Sequence, residues 1–80
     1  MEKKFEKGSE NWQFFQDYYR FRQKYFEADN DTEFFEKMVL AATELRKKYE
    51  NMEISEYVNQ MIIAHMDDVD RRYRVKIGKT

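Results

Sequence analysis

His65 is the single histidine of the chain. Asp68 follows it at i+3, the spacing that sets two residues on one face of a helix. A histidine beside a carboxylate can relay a proton or supply half of a metal site. One histidine with scattered carboxylates does not make a specific metal site by itself, so the plainer reading is a ring hydrogen-bonded within or beside the core. Near Asp68 such a ring would respond mildly to pH. Nucleophilic chemistry has less to work with. Ser9 and Ser55 are the only serines, both fall at expected helix starts, and no nucleophile–base pair is visible. Asp67 and Asp68 are adjacent carboxylates, but neighbours on a helix diverge by about 100° and rarely cooperate. The expectation is a protein that is not an enzyme and carries no cofactor and no metal.

Two further patterns fail on spacing. The closing Gly78-Lys79-Thr80 has the ending of a phosphate-binding loop, which requires a glycine five positions before the Gly-Lys pair and a helix after it. Tyr73 stands where that glycine should be. Asp29, Asp31 and Glu33 suggest a calcium loop, but Phe34 replaces the turn glycine and Leu40 the closing glutamate. A capped turn is the expectation there.

Arg22 is the more informative group. It lies within WQFFQDYYRFRQKYF, residues 12–26, which holds more than half of the aromatic residues in the chain. At helical spacing Trp12, Phe15, Tyr19 and Phe26 form one stripe, and Phe14, Tyr18, Phe21 and Tyr25 a second about 115° away. Arg22 projects between them. A guanidinium flanked by rings can stack on them and present forked donors to an anion. One reading pairs Arg22 with an acid such as Asp68 at the edge of the core. The other groups it with Tyr18, Tyr19 and Tyr25 as a site for a small anionic, ring-bearing ligand such as a nucleotide.

The elements that must position these groups are helical. Eighty residues with no proline, two glycines and no cysteine give one domain with a thin core and no disulfide framework. The expected fold is all-α, a three-helix bundle with helices at about 10–27, 32–50 and 53–74, and oligomeric. A flexible arm, residues 1–9, precedes the helical domain (10–75), and a basic tail (76–80) follows it. Ser9 or Asn11 caps the first helix, Asn30 with Glu33 forms a capping box for the second, and Asn51 caps the third. In the second helix Phe34, Phe35, Met38, Val39, Ala41, Ala42, Leu45 and Tyr49 face the core, with Glu33–Lys37 and Glu44–Lys48 as surface pairs. In the third, Ile54, Val58, Met61, Ile62, His65 and Val69 do so.

No apolar run is long enough to span a bilayer, and the start has no signal-peptide core, so a soluble cytoplasmic protein is expected. A net charge of −1 argues against a general nucleic-acid binder. Arg71, Arg72, Arg74, Lys76 and Lys79 complement the negative end of the third helix or, alternatively, touch nucleic acid or an acidic partner.

Two aromatic stripes exceed what one packing groove needs, and Leu40, Ile63 and Met66 add apolar groups on outer faces. Trp12, Tyr18, Tyr25, Leu40, Ile63 and Met66 are therefore the expected interface residues, in a self-associating protein that binds another macromolecule. The segments NWQFFQDYYRFRQKYF and DTEFFEKMVLAATELRKKY, within about residues 11–50, resemble small helical proteins of unassigned function from phages and mobile elements of Gram-positive bacteria. The resemblance implies an accessory protein that binds and inhibits or regulates a host or phage factor, and it carries over no site residue.

Overall fold

Ser9 is extended (φ −68°, ψ 162°), and its hydroxyl accepts from the Trp12 N–H at 3.3 Å. One of the otherwise unpaired amides of the first turn is thereby satisfied, and α1 (Glu10–Lys24) starts there. The computed structural model describes residues 3–28 and 32–78. Asn30, expected in a capping box, and the acidic positions Asp29 and Asp31 lie outside them.

Helix α1 stops three residues short of the expected 27 because Tyr25 leaves helical geometry (φ −116°, ψ 35°). Helix α2 (Thr32–Lys48) and helix α3 (Ser55–Lys76) follow. Asn51 does not cap α3. The cap position is Ile54, with no side-chain bond, and backbone bonds from Met52 to Tyr49 and from Ser55 to Met52 hold the turn instead. At its far end α3 outruns the expected 74, with Arg74 reaching back to Asp70 at 3.1 Å. It closes where Gly78 takes a positive φ of 79°, a conformation that glycine adopts without a Cβ penalty.

The three helices form an up-down-up bundle with no strand among the described residues. Helix α2 is antiparallel to α3: Arg46 donates to Asn59 at 3.0 Å near one end, and the Phe35 and Tyr73 rings meet at 5.3 Å near the other. Helix α1 is parallel to α3, since Phe15 meets Tyr57 at its start and Phe26 meets Arg72 beyond its end.

The second aromatic stripe of α1 is the inner one. Phe14, Phe21 and Tyr25 are buried with Met38, Ala42, Tyr49, Val58, Ile62 and Val69. Each large apolar side chain so buried contributes about 1.5–3 kcal/mol. Tyr49 is fully enclosed, and its hydroxyl donates to Asp17 at 2.7 Å, so the phenol reaches a partner at the bundle edge. Burial first, and that bond second, push its ionisation well above the usual tyrosine range. Lys48 shares the same Asp17 oxygen at 2.7 Å, bridging to α1 where pairing with Glu44 was expected, whereas Glu33–Lys37 forms at 3.5 Å.

Two apolar positions differ from expectation. Val39 is half exposed on the outer flank of α2, not in the core. Met66, expected on an outer face, is partly buried against the core on the α2-facing flank of α3. The α2–α3 register sets these two residues at about the same level.

Candidate binding face on the first helix

The outer stripe of α1 remains uncovered. Tyr19 is 64% exposed, Phe26 40% and Phe15 38%. With Tyr18, Arg22 and Gln23 they line an open groove of about 700 Å³. Phe5, from the segment before α1, sits on Phe15 with ring centroids 6.0 Å apart, extending the aromatic surface at its N-terminal end. Gln23 donates to the Tyr19 hydroxyl at 3.3 Å.

Arg22 stands at the inner wall of the groove, and both of its terminal nitrogens are engaged. Its Nη1 lies 3.0 Å from His65 Nδ1, and Nη2 donates to Asp68 at 3.4 Å. A guanidinium only donates, so Nδ1 must accept. His65 Nε2 is then the protonated nitrogen, and it donates to the Tyr25 carbonyl at 3.1 Å. The ring is 1% exposed and neutral. Burial lowers its proton affinity below the ordinary histidine value and Arg22 lowers it further, with the Tyr25 carbonyl and Asp68 acting in the opposite sense.

Asp68 also accepts from Arg72 at 3.1 Å. Desolvation would raise its carboxyl, but the bonds and charges of Arg72 and Arg22 together outweigh that and hold it below its usual value. Arg72 in turn donates to the Phe26 carbonyl. Its guanidinium stacks on the Phe26 ring at 4.1 Å, while that of Arg22 approaches the same ring at 5.0 Å. Tyr18 ionises above the usual range through burial, opposed by Arg22.

The Arg22–Asp68 pair expected from the sequence is thus present, and the expected ligand set is only partly gathered. Tyr18, Tyr19 and Arg22 share the groove. Tyr25 does not: it is 7% exposed and packed between Phe21 at 5.5 Å and Phe34 at 5.8 Å, which removes it from both the ligand set and the interface set. Trp12 is half-buried near the start of α1. Leu40 and Ile63 stand exposed on α2 and α3, away from the groove.

The positive residues near the C-terminus are divided. Arg72 is held by Asp68 and the Phe26 carbonyl, and Arg74 is paired with Asp70. Arg71 and Lys76 are exposed, and Lys79 lies outside the described residues. This leaves less free positive charge than the sequence offered to nucleic acid.

Phe15, Gln23 and Phe26 line the groove without having been expected in a site. For Phe15 and Phe26 the stripe shared with Tyr19 was the available signal; Gln23 was not part of that stripe. Among the described residues no three potential ligands converge as a metal site, and no helix is long and apolar enough to cross a membrane. No protein-family model, curated protein or solved structure matches this chain.

Proposed function

We propose that this chain is a non-enzymatic protein-binding module that works through the outer aromatic face of α1. The groove itself carries the reading: three exposed rings gathered on one face, with the Arg22 guanidinium that lines it already bonded to Asp68 and His65. Solvated rings next to a satisfied cation suit an apolar protein surface, and Tyr, Phe and Arg are residue types on which protein interfaces concentrate. The resemblance to small phage and mobile-element proteins adds the biological reading, an accessory protein that inhibits or regulates the factor it binds.

A second reading keeps a small anionic ring-bearing ligand in the groove, favoured by the presence of Tyr18, Tyr19 and Arg22 together in its lining and by a volume within the usual ligand-pocket range. It ranks lower because the ligand must compete with Asp68 for Arg22. The two readings separate on one experiment. A photoreactive benzoylphenylalanine replaces Tyr19 or, as a control, Leu40, and the protein is irradiated in its own host. Protein adducts at position 19 and not at 40 are expected. Native mass spectra showing a retained nucleotide, with no protein adduct at 19, would overturn the protein-binding reading in favour of the ligand.

A further inference from the structure

The outer face of α1 is nearly free of charge in a chain where 39% of residues are charged. Along it run Trp12, Phe15, Gln16, Tyr19, Gln23 and Phe26, while helical spacing puts Asp17, Arg20 and Lys24 on the flank towards α2. Lys48 of α2 reaches Asp17, fixing the direction of that flank. Arg22, at the opposite edge, has its charge opposed by Asp68 at 3.4 Å.

Across a two-fold axis residue i of one copy meets residue j of the other, and groups near the axis meet their own counterparts, where like charges would repel. This face has none free in its centre. Its polar centre consists of glutamines and a tyrosine hydroxyl, each of which both donates and accepts hydrogen bonds. Such groups pair with themselves, as ammonium or carboxylate groups do not.

From these features we infer that two copies of the chain pair through their α1 faces about a two-fold axis passing near Tyr19. The inference rests on α1 being a protein-binding face, and it names the partner as a second copy. Tyr19, the most exposed ring, lies midway along the stripe between Trp12 and Phe26, so it meets its counterpart. The area involved sets the strength. Large aromatic side chains bury about 150–250 Å² each, so the exposed fractions of Phe15, Tyr19 and Phe26 amount to roughly 300 Å² per copy. A standard stable interface takes about 800 Å² from each partner. At well under half of that area the pairing is weak, reversible and dependent on concentration.

The test uses Tyr19→Lys and Tyr19→Glu, at a solvent-facing position where neither change touches the core, with circular dichroism to verify helix content. Sedimentation equilibrium is run from about 10 to about 500 micromolar, a window suited to a dissociation constant in the micromolar range. The unmodified chain should dimerise, each variant alone should associate at least about tenfold more weakly, and an equimolar mixture should recover a heterodimer. Recovery on mixing requires position 19 to meet itself. A monomer throughout the range would overturn the inference, as would a dimer that Ile63→Glu dissociates and the position-19 variants do not. If the chain is monomeric, the dye bis-ANS separates the failures: binding that Tyr19→Glu abolishes leaves the protein-binding reading intact with a foreign partner, whereas no binding removes both.

Discussion

Moving the protein from about pH 7.5 to about pH 5 sets His65 against its own fold. In the folded state Nδ1 accepts from Arg22 and Nε2 donates to the Tyr25 carbonyl, so a second ring proton would place a donor against a donor and a cation against a cation. The charges acting on the ring come from α1 (Arg22) and from α3 itself (Asp68, Arg72). Burial first, and Arg22 second, lower the folded value below the 6.5 of a free histidine. The unfolded chain therefore takes up the proton that the folded one refuses. Stability from this group is complete above about pH 6.5 and declines as pH falls, with a limiting slope of about 1.4 kcal/mol per pH unit for one proton. At about pH 5 the loss is at most about 2 kcal/mol, out of roughly 4–12 kcal/mol for a domain of this length. Urea titrations followed by circular dichroism at about pH 7.5, 6.5 and 5.5 measure it, with His65→Gln as the comparison. That amide keeps a donor and an acceptor but does not titrate, so its profile should be flatter. Parallel pH profiles for the two proteins, or an NMR titration of the folded ring with its midpoint at or above 6.5, would refute the reasoning.

Three other outcomes follow from the packing. Phe14→Ala should cost about 3–5 kcal/mol and Phe15→Ala, its neighbour in sequence, less than about 1.5 kcal/mol, because Phe14 is fully buried and Phe15 is not; urea midpoints distinguish them. Tyr49→Phe removes the donor to Asp17 and should cost about 1.5–3 kcal/mol. Ultraviolet titration of the same variant should lose a tyrosine that ionises late, as the raised value of Tyr49 requires. Ser9→Ala should cost about 1 kcal/mol and increase amide exchange in the first turn of α1.

The helices are legible in the sequence because polar and apolar residues separate cleanly at 3.6-residue spacing, and no glycine or proline interrupts them. The inner face of α3 follows from the same period, with Val58, Ile62, His65 and Val69 buried in sequence order. Periodicity does not say which of two equivalent stripes faces inward. Tyr18 and Tyr25 both belong to the inner stripe of α1 and were expected at an interface, yet Tyr18 reaches the groove while Tyr25 is buried, because the chain turns after Lys24, where the helical wheel no longer applies. Val39 and Met66 were misplaced for a related reason, since both sit on flanks where the α2–α3 packing angle decides exposure. The Arg22–Asp68 pair was legible as charge seeking charge. The guanidinium of Arg72 on Phe26 was not, because it depends on how far beyond the end of α1 helix α3 reaches.

The end of α1 is finished by side chains from far along the chain: His65 holds the Tyr25 carbonyl and Arg72 that of Phe26. The contacts span 40 and 46 of the 80 residues and can close only after α3 has formed beside α1. The hairpin of α2 and α3 involves shorter loops and can assemble first. During synthesis, α1 emerges earliest and is completed last. Until residue 72 has left the ribosome, its C-terminal turn lacks these partners and its inner aromatic stripe lacks α3, and apolar surface exposed in this way favours aggregation.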